Sequence, residues 1–566
     1  MKWYKYLLIL FIFTGSAACD MTDLELQENP NAVTPENASI NDLYNNIQLA
    51  FNNVYANAQG APGAMARMYH LGSYLYLAST SPNTMNGLWG SAYSTLFPDV
   101  DALLAIAEER GLDIHAGTSK IMKAYALLTL VDLLGNVPLS EAGQGTDIIS
   151  PKADAGADVY ASAISLLDEA IAQLTGTAAA RPAVDIFYGG NAARWIKAAN
   201  SIKLKAALNR GDAAAINALV SGGNLISSIE EDFQFTYGKQ RANPNSRHPF
   251  YGSHYEIGDG DYMSNYYMWL MKGDKKDATG SVVTDPRIRF YFYRKVDDSA
   301  NQDVTTYSCH FSELPDQSQK PAHYTKVDPD IPYCIATTDG YIGRDHLNGE
   351  GIPPDGPIRT SYGLYPGGGQ FDDDTFKDTR RSGTTGALGN GIWPILHASF
   401  VDFMRAEAAL RLGTNDNARA LLESGMRKSI AKVFSFKSKV AATMGTRITL
   451  RDGSSGTIEE LYVPNQDRIN AYIDFVLAEY DAASADGKLD IVIKEFYIAA
   501  WGNGLEAYNM YRRTGKPGNM QPGLEPEVGA FVRSFFLPSN HVDRNANATQ
   551  KTITDRVFWD NGPEVY

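Results

Sequence analysis

Apolar residues recur at helical spacing toward both ends of the chain and lose that spacing in the middle. Ile40, Leu43, Ile47, Ala50, Phe51 and Val54 share one face of a first predicted helix, because positions three and four apart lie one above the other. Val100, Leu103, Leu104 and Ala107 define a second. A third is predicted from Thr118, read as its cap, through Ile121, Tyr125, Leu128 and Val131, stopping at Gly135 with Pro138 beyond. Val159, Ala163, Leu167, Ala170, Ile171 and Leu174 form another stripe. Asn191 is placed to cap a helix carrying Trp195, Ala199, Ile202 and Leu208, which Gly211 ends.

Helices return after Pro394. Val401, Met404, Ala408 and Leu412 line one that ends at Gly413, and Asn415 or Asp416 caps the next, with Ala418, Leu421, Leu422 and Met426. This pair reads as a helical hairpin of tetratricopeptide type. A further pair is predicted at about 466–483 and 489–513, with Arg512, Arg513, Gly515 and Pro517 as stop signals. From 221 to 392 the chain is rich in Gly, Pro, Asp, Asn and Tyr, as in Gly258-Asp259-Gly260-Asp261, Pro353-Pro354-Asp355-Gly356 and Gly367-Gly368-Gly369. That is turn chemistry, yet the stretch is far too long for one loop. It is predicted to fold as an irregular part packed on the helices, with short strands such as Arg289 to Tyr293. No interdomain linker is visible. Residues 39–566 therefore read as one mainly α unit: helical over 39–220, irregular and ligand-binding over 221–392, helical hairpins over 393–515, and an irregular C-terminal segment over 516–566.

The first 18 residues stand apart. Lys2 and Lys5 precede an apolar run from Leu7 to Phe13, then Gly15, Ser16, Ala17, Ala18 and Cys19. The run is too short to span a bilayer core and has the flanks of a secretory signal. Small residues directly before a cysteine resemble a bacterial lipobox, in which Cys19 becomes the lipidated N-terminus and residues 19–38 a tether. A plain signal peptide with an incidental cysteine is the alternative. Lipidation leaves Cys309 and Cys334 as an even pair in an exported protein, either joined in a disulfide or kept as two buried thiols.

Composition narrows the chemistry. The chain has 566 residues, 44% hydrophobic and 20% charged, which excludes collagenous and disordered classes. Its formal charge of -15 disfavours nucleic acid as a partner. There is no HExxH, Walker loop or GxSxG elbow, and no catalytic residue, metal site or cofactor is assigned. Asp372-Asp373-Asp374 and Asp345-His346 are the nearest metal-like clusters, read as calcium ligands or as a solvated turn. A pair of glycosidase carboxylates is not marked out among 65 acids. Aromatic rings beside polar groups are: Asp261, Tyr262, Tyr266, Tyr267 and Trp269, with Asn83, Asn86 and Trp89 earlier. Sugar rings stack on aromatic faces and pair their hydroxyls with Asn and Asp, so these are the candidate ligand contacts; the alternative is that the rings fill core gaps.

The order of several motifs resembles the SusD/RagB family of Bacteroidetes surface lipoproteins. They are Asn29-Pro30-Asn31, Leu134-Gly135-Asn136-Val137-Pro138-Leu139, Tyr188-Gly189-Gly190-Asn191 with Trp195, Ala199-Asn200-Ser201 with Leu204, Asp285-Pro286-Arg287, Tyr341-Ile342-Gly343-Arg344-Asp345, Tyr365-Pro366-Gly367-Gly368, Ala406-Glu407-Ala408, Arg512-Arg513-Thr514-Gly515 and Val557-Phe558-Trp559-Asp560. The resemblance implies tetratricopeptide-like hairpins carrying an irregular ligand-binding subdomain, anchored through Cys19 at the cell surface. It implies a lid over a SusC-like TonB-dependent outer-membrane barrel that captures an oligosaccharide, or a peptide in some members, without catalysis. An anchored glycan hydrolase and a scaffold repeat that binds another protein are the competing expectations.

Overall fold

The computed structural model describes residues 39–566 apart from 177, 259, 299–319, 350–357 and 378–382. The signal, Cys19, Asn29-Pro30-Asn31 and Cys309 fall outside the described residues. The N-terminal half is built from α1 (Ile40–Met65), α2 (Phe97–Arg110), α3 (Asp113–Leu134), α4 (Gly156–Thr175), α5 (Ala192–Arg210) and α6 (Ala213–Ser221). Consecutive members pack as neighbours from α2 to α6, as short connections between helices require. α4 buries Val159, Ala163, Leu167, Ala170 and Leu174, a single face at helical spacing. α3 is buried on nearly every side, because α1, α2, α4 and α5 surround it. Asn191 caps α5, accepting from the Arg194 N–H at 3.2 Å.

The C-terminal helices are α8 (Ala398–Leu412), α9 (Ala418–Ser435), α10 (Gln466–Ala482), α11 (Ala485–Ala499) and α12 (Gly504–Thr514), with α7 (Asn265–Lys272) in the irregular middle. α8 packs on α9 and α11, α5 on α8, and α12 on α1, so the two helical halves form one body. The α1–α12 crossing needs glycines. A side chain at Gly504 would collide with the Gln59 carbonyl and the Gly63 backbone.

Strand β1 (Phe233–Thr236) pairs antiparallel with β4 (Ile392–Leu396), Phe235 opposite Trp393, and so brings the two ends of the irregular part together. Between them, β2 (Phe292–Tyr293) pairs with β3 (Ser361–Tyr362). Trp501 plugs the joint between this part and the helices, with Tyr69, Tyr267, Tyr291, Phe292 and Tyr362 at centroid distances of 4.7–5.8 Å. A further hairpin of β5 (Arg447–Thr449) and β6 (Ser455–Thr457) sits between α9 and α10.

Four local expectations are corrected. α3 starts at Asp113, not Thr118. The Thr118 hydroxyl donates to the Ile114 carbonyl one turn back, at 2.7 Å, a bond that an interior threonine makes as readily as a cap. Asn417 caps α9, accepting from Ala420 N–H at 3.1 Å, while Asp416 is held by Arg405 at 2.6 Å. The helix expected over 489–513 is two helices. Gly502 takes a positive φ of 92° and Asn503 caps α12, so Gly502-Asn503 is a stop and a start. Arg289 to Tyr293 is a helical turn over Ile288–Tyr291 followed by the two-residue β2.

A buried polar network runs through the helical body. The Asp132 carboxylate on α3 accepts from the Tyr160 hydroxyl, from Trp559 Nε1 at 3.0 Å and from Asn509 Nδ2 at 2.7 Å. Arg512 donates to the carbonyls of Asp132 at 2.7 Å and Arg533 at 2.6 Å, its guanidinium 4.1 Å from the Tyr508 ring centroid. Arg513 forks onto Glu407 at 2.7 and 2.8 Å and reaches Asn209 at 2.7 Å. Lys205 joins Glu506 at 2.9 Å. Burial raises the Glu407 carboxyl, but the Arg513 and Arg411 guanidiniums outweigh it and hold it below the ordinary range. These links tie α3, α4, α5, α8, α12 and the C-terminal segment together. Breaking a buried pair strands its partner without water, so Glu407→Ala is expected to cost about 3–5 kcal/mol, read as a fall in the denaturant midpoint.

Lys551 gives a pH-dependent counterpart. Its ammonium meets Ser534 Oγ at 2.6 Å, and burial pulls its pKa down to about 7. The folded state then binds fewer protons than the unfolded one between about pH 7 and the normal lysine range, so stability rises with pH across that window. Below it the burial penalty is fully present. Lys551→Met is expected to raise the melting temperature at pH 6 and to lose that advantage by pH 10.

Candidate functional site

The loop that leaves α1 is pinned at its root and apolar at its tip. Arg67, fully buried, donates to Gln521 O at 2.9 Å, to Met65 O at 3.0 Å and to the Tyr566 carbonyl. Beyond it, Tyr76 turns inward, its hydroxyl 3.0 Å from His346 Nε2 and its N–H 3.0 Å from Val528 O. Tyr74, Leu75 and Leu77 turn outward, 49%, 46% and 63% exposed. An exposed group of this kind on a well-packed chain marks a binding surface more often than a lone exposed leucine does.

Facing this loop are three pieces of the irregular part. Backbone bonds join Arg344 N to Met263 O and Asn265 N to Arg344 O, both at 2.9 Å. His70 Nε2 lies 3.0 Å from Asn348 O, and Gly349 must be glycine because a side chain there would meet the Tyr74 ring at 2.8 Å. Behind them Asp345 is fully buried, accepting from Asn265 at 2.7 Å, the Cys334 N–H at 2.8 Å and Gln521 at 3.1 Å. Burial raises its pKa; these hydrogen bonds oppose the rise without cancelling it.

Tyr262 lies under the face, only 6% exposed. The guanidiniums of Arg344 and Arg359 each lie 4.1 Å from its ring centroid, and His70 meets it edge-on at 6.2 Å. Stacked guanidiniums of this kind are held by the ring quadrupole. Arg359 also donates to Gly260 O at 2.9 Å. Asp261 is exposed next to Tyr262, and Ile257, 85% exposed, closes the π-helical turn Ser253–Ile257. The result is a shallow face of apolar, aromatic, cationic and carboxylate groups.

Of the residues singled out from sequence, Asp261 stands at this face, and Tyr262 lies just beneath it, 6% exposed with the Arg344 and Arg359 guanidiniums on its ring. Three others do not, and the ring expectation is corrected for them. Tyr266 and Tyr267 are fully buried and Trp269 nearly so. The Tyr267 hydroxyl donates to Tyr497 O and Ile498 O at 3.0 Å, carbonyls at the end of α11 that have no partner within their own helix. Asn83, Asn86 and Trp89 gather in a cluster of their own. Asn86 Nδ2 donates to Asn83 Oδ1 at 3.1 Å and Ser539 Oγ at 2.9 Å, and Trp89 is stacked between Tyr93 at 4.2 Å and His541 at 4.4 Å. These groups tie the turn before α2 to the C-terminal segment.

Sequence reasoning missed Tyr74, Leu75, Leu77, His70, Arg344 and Arg359. The available signal was Tyr74-Leu75-Tyr76-Leu77, an apolar run in a Gly- and Ser-rich loop outside any helical stripe. Cys334 is disulfide-bonded; Cys309 lies outside the described residues. Asp372 and Asp374 are engaged by Arg294 and Arg289, and Asp373 accepts from Thr375 at 2.6 Å, so this run is committed to arginines and a turn. Among the described residues no group of three or more metal-ligating side chains gathers, and no helix is long and apolar enough to cross a membrane.

Comparisons place this architecture. A family model described as "Starch-binding associating with outer membrane" matches residues 29–337, and one described as "Susd and RagB outer membrane lipoprotein" matches residues 363–554. A SusD/RagB family protein from Bacteroides thetaiotaomicron is 18% identical with a TM-score of 0.63, covering 93% of this chain and 100% of its own. A structure titled as a chitin-binding protein is 17% identical with a TM-score of 0.62, covering 92% and 100%. A chitin-binding SusD homologue from Flavobacterium johnsoniae is 17% identical with a TM-score of 0.58, covering 92% and 99%. No curated protein matches the chain.

The two sets of rings should separate in a stability measurement. Tyr267→Ala is expected to destabilise by about 3–5 kcal/mol as a large-to-small core change. Tyr74→Ala is expected to stay within about 0.5 kcal/mol of the parent, both read from denaturant midpoints.

Proposed function

This chain belongs to the SusD/RagB family of outer-membrane lipoproteins, and from that premise we propose that it captures oligosaccharides at the Tyr74–Tyr262 face and passes them to a SusC-type TonB-dependent barrel. The family is one of nutrient-binding surface proteins; the sugar, the delivery step and the barrel partner are our reading. The observation that carries it is the exposed Tyr74, Leu75 and Leu77 beside the Arg344–Tyr262–Arg359 stack. Apolar sugar faces fit the former and hydroxyls fit the charged groups around the latter. The chitin-binding titles of two structural neighbours favour a glycan over a peptide. Lipid on Cys19 holds the body at the membrane, two acyl chains or more being enough for stable anchoring.

Modest energies suffice. Each well-placed aromatic contact adds about 0.5–1.5 kcal/mol beyond its buried area, and millimolar binding needs only about 4 kcal/mol. Co-localisation with a transporter raises effective affinity further. Binding without bond cleavage is the reading the family supports; among the described residues Asp261 stands exposed and Asp345 is buried behind hydrogen bonds.

Calorimetric titration against a panel of oligosaccharides and peptides tests the reading. A Tyr74→Ala, Leu77→Ala double variant is expected to bind the best glycan about tenfold or more weakly, the loss of about 1.4 kcal/mol or more, with an unchanged melting temperature. Glycan binding indifferent to these changes would place the site elsewhere, and release of product from the titrated glycan would favour a hydrolase.

A further inference from the structure

Arg359, like Arg67 and Arg512, reaches no carboxylate among the described residues, and unlike them it is only part-buried. Arg287, Arg289, Arg294, Arg513 and Arg533 each reach a carboxylate within 3.3 Å, as a chain with 65 acids against 50 bases readily provides. Arg359, only part-buried, makes no ion pair among the described residues. Its one hydrogen bond there goes to the Gly260 carbonyl, and its Nε is buried without an acceptor. A guanidinium carries five N–H donors in a rigid fork that matches a planar or tetrahedral oxyanion. Stacking on Tyr262 at 4.1 Å fixes the plane of that fork and leaves its edge for a ligand.

The surroundings add positive charge at this one place. Arg344 lies on the same ring at 4.1 Å. Buried His254 is pulled down to about 3 by burial first, and then by the charges of Lys295 and Arg359. Among the described residues, Asp261 beside the stack is exposed and makes no ion pair. In a molecule whose overall field repels anions, an arginine held on an aromatic ring without a carboxylate is a local reversal of sign.

Resting on the capture reading, we propose that the sugar unit seated beside Arg359 carries an anionic group, a uronate carboxylate or a sulfate ester, received by its guanidinium. Tyr74, Leu75 and Leu77 then hold the neutral units that follow. Charge-assisted hydrogen bonds from a fork of this kind are about twice as strong as neutral ones. They would make discrimination between charged and neutral glycans the work of one side chain.

The test is calorimetry of the full lipid-free chain with three tetrasaccharides: an oligogalacturonide, a sulfated chondroitin fragment and chitotetraose. One anionic probe is expected to bind about tenfold or more tightly than chitotetraose at low salt, a charge-assisted bond being worth at least that factor, and the preference is expected to shrink as salt rises. Which anionic probe wins identifies carboxylate or sulfate. Arg359→Gln is expected to remove the preference, weakening the favoured anionic probe about tenfold or more and chitotetraose far less, with the melting temperature unchanged, and Arg359→Lys to restore part of it. Chitotetraose binding as tightly as both anionic probes would overturn the proposal and leave capture intact. Binding of none of the three, with a C-terminal peptide carboxylate preferred instead, would overturn both.

Discussion

Everything at the surface of this protein depends on arginines and carboxylates that never meet water. Arg513 and Glu407, Arg512 and the Asp132 and Arg533 carbonyls, and Lys205 and Glu506 connect helices that are hundreds of residues apart in sequence. Apolar packing alone would hold those helices together in many registers. Forks of donors that must each find an acceptor leave few, because an unmet buried charge costs several kcal/mol. A second set does the same on the other side: Arg287 joins Asp285, Glu495 and Ser429 at 2.6–3.0 Å, tying the irregular middle to α9 and α11.

This rigid frame explains how an irregular segment can present a defined face. The loop after α1 and the loops around Tyr262 and Arg344 carry little secondary structure of their own. They are fixed instead through buried Gln521, whose carbonyl takes Arg67 from the loop after α1 and whose side chain accepts from His346 N–H and donates to Asp345. Gln521 comes from the C-terminal segment, so the last stretch of the chain helps to place a surface formed by the first. Side chains that point away from these anchors are free to meet a ligand.

Much of the frame was legible in the chain itself. Stripes such as Val159 to Leu174 and the cap at Asn191 are local and need no distant partner. Several residues of the motifs that carried the family resemblance, Glu407, Arg512, Arg513 and Trp559, are members of the buried network that holds the helices. The binding face was harder. A tyrosine looks alike whether its hydroxyl meets water or a carbonyl 230 residues away, as for Tyr267. Asn86 finds Ser539 at a separation of 453 residues. Only the fold sorts such rings and amides into core and surface. The same ambiguity hid Arg359, a part-buried guanidinium whose stacking on Tyr262 sequence has no means of placing.

The central claim is that a glycan lies on the Tyr74–Tyr262 face and nowhere else on this frame. Hydrogen–deuterium exchange with and without a saturating oligosaccharide addresses it most directly. The account predicts new protection confined to backbone amides of residues 69–79, 260–264, 344–349 and 358–361. Protection centred on the Trp89 and His541 cluster, or none at all from a glycan that binds, would contradict it.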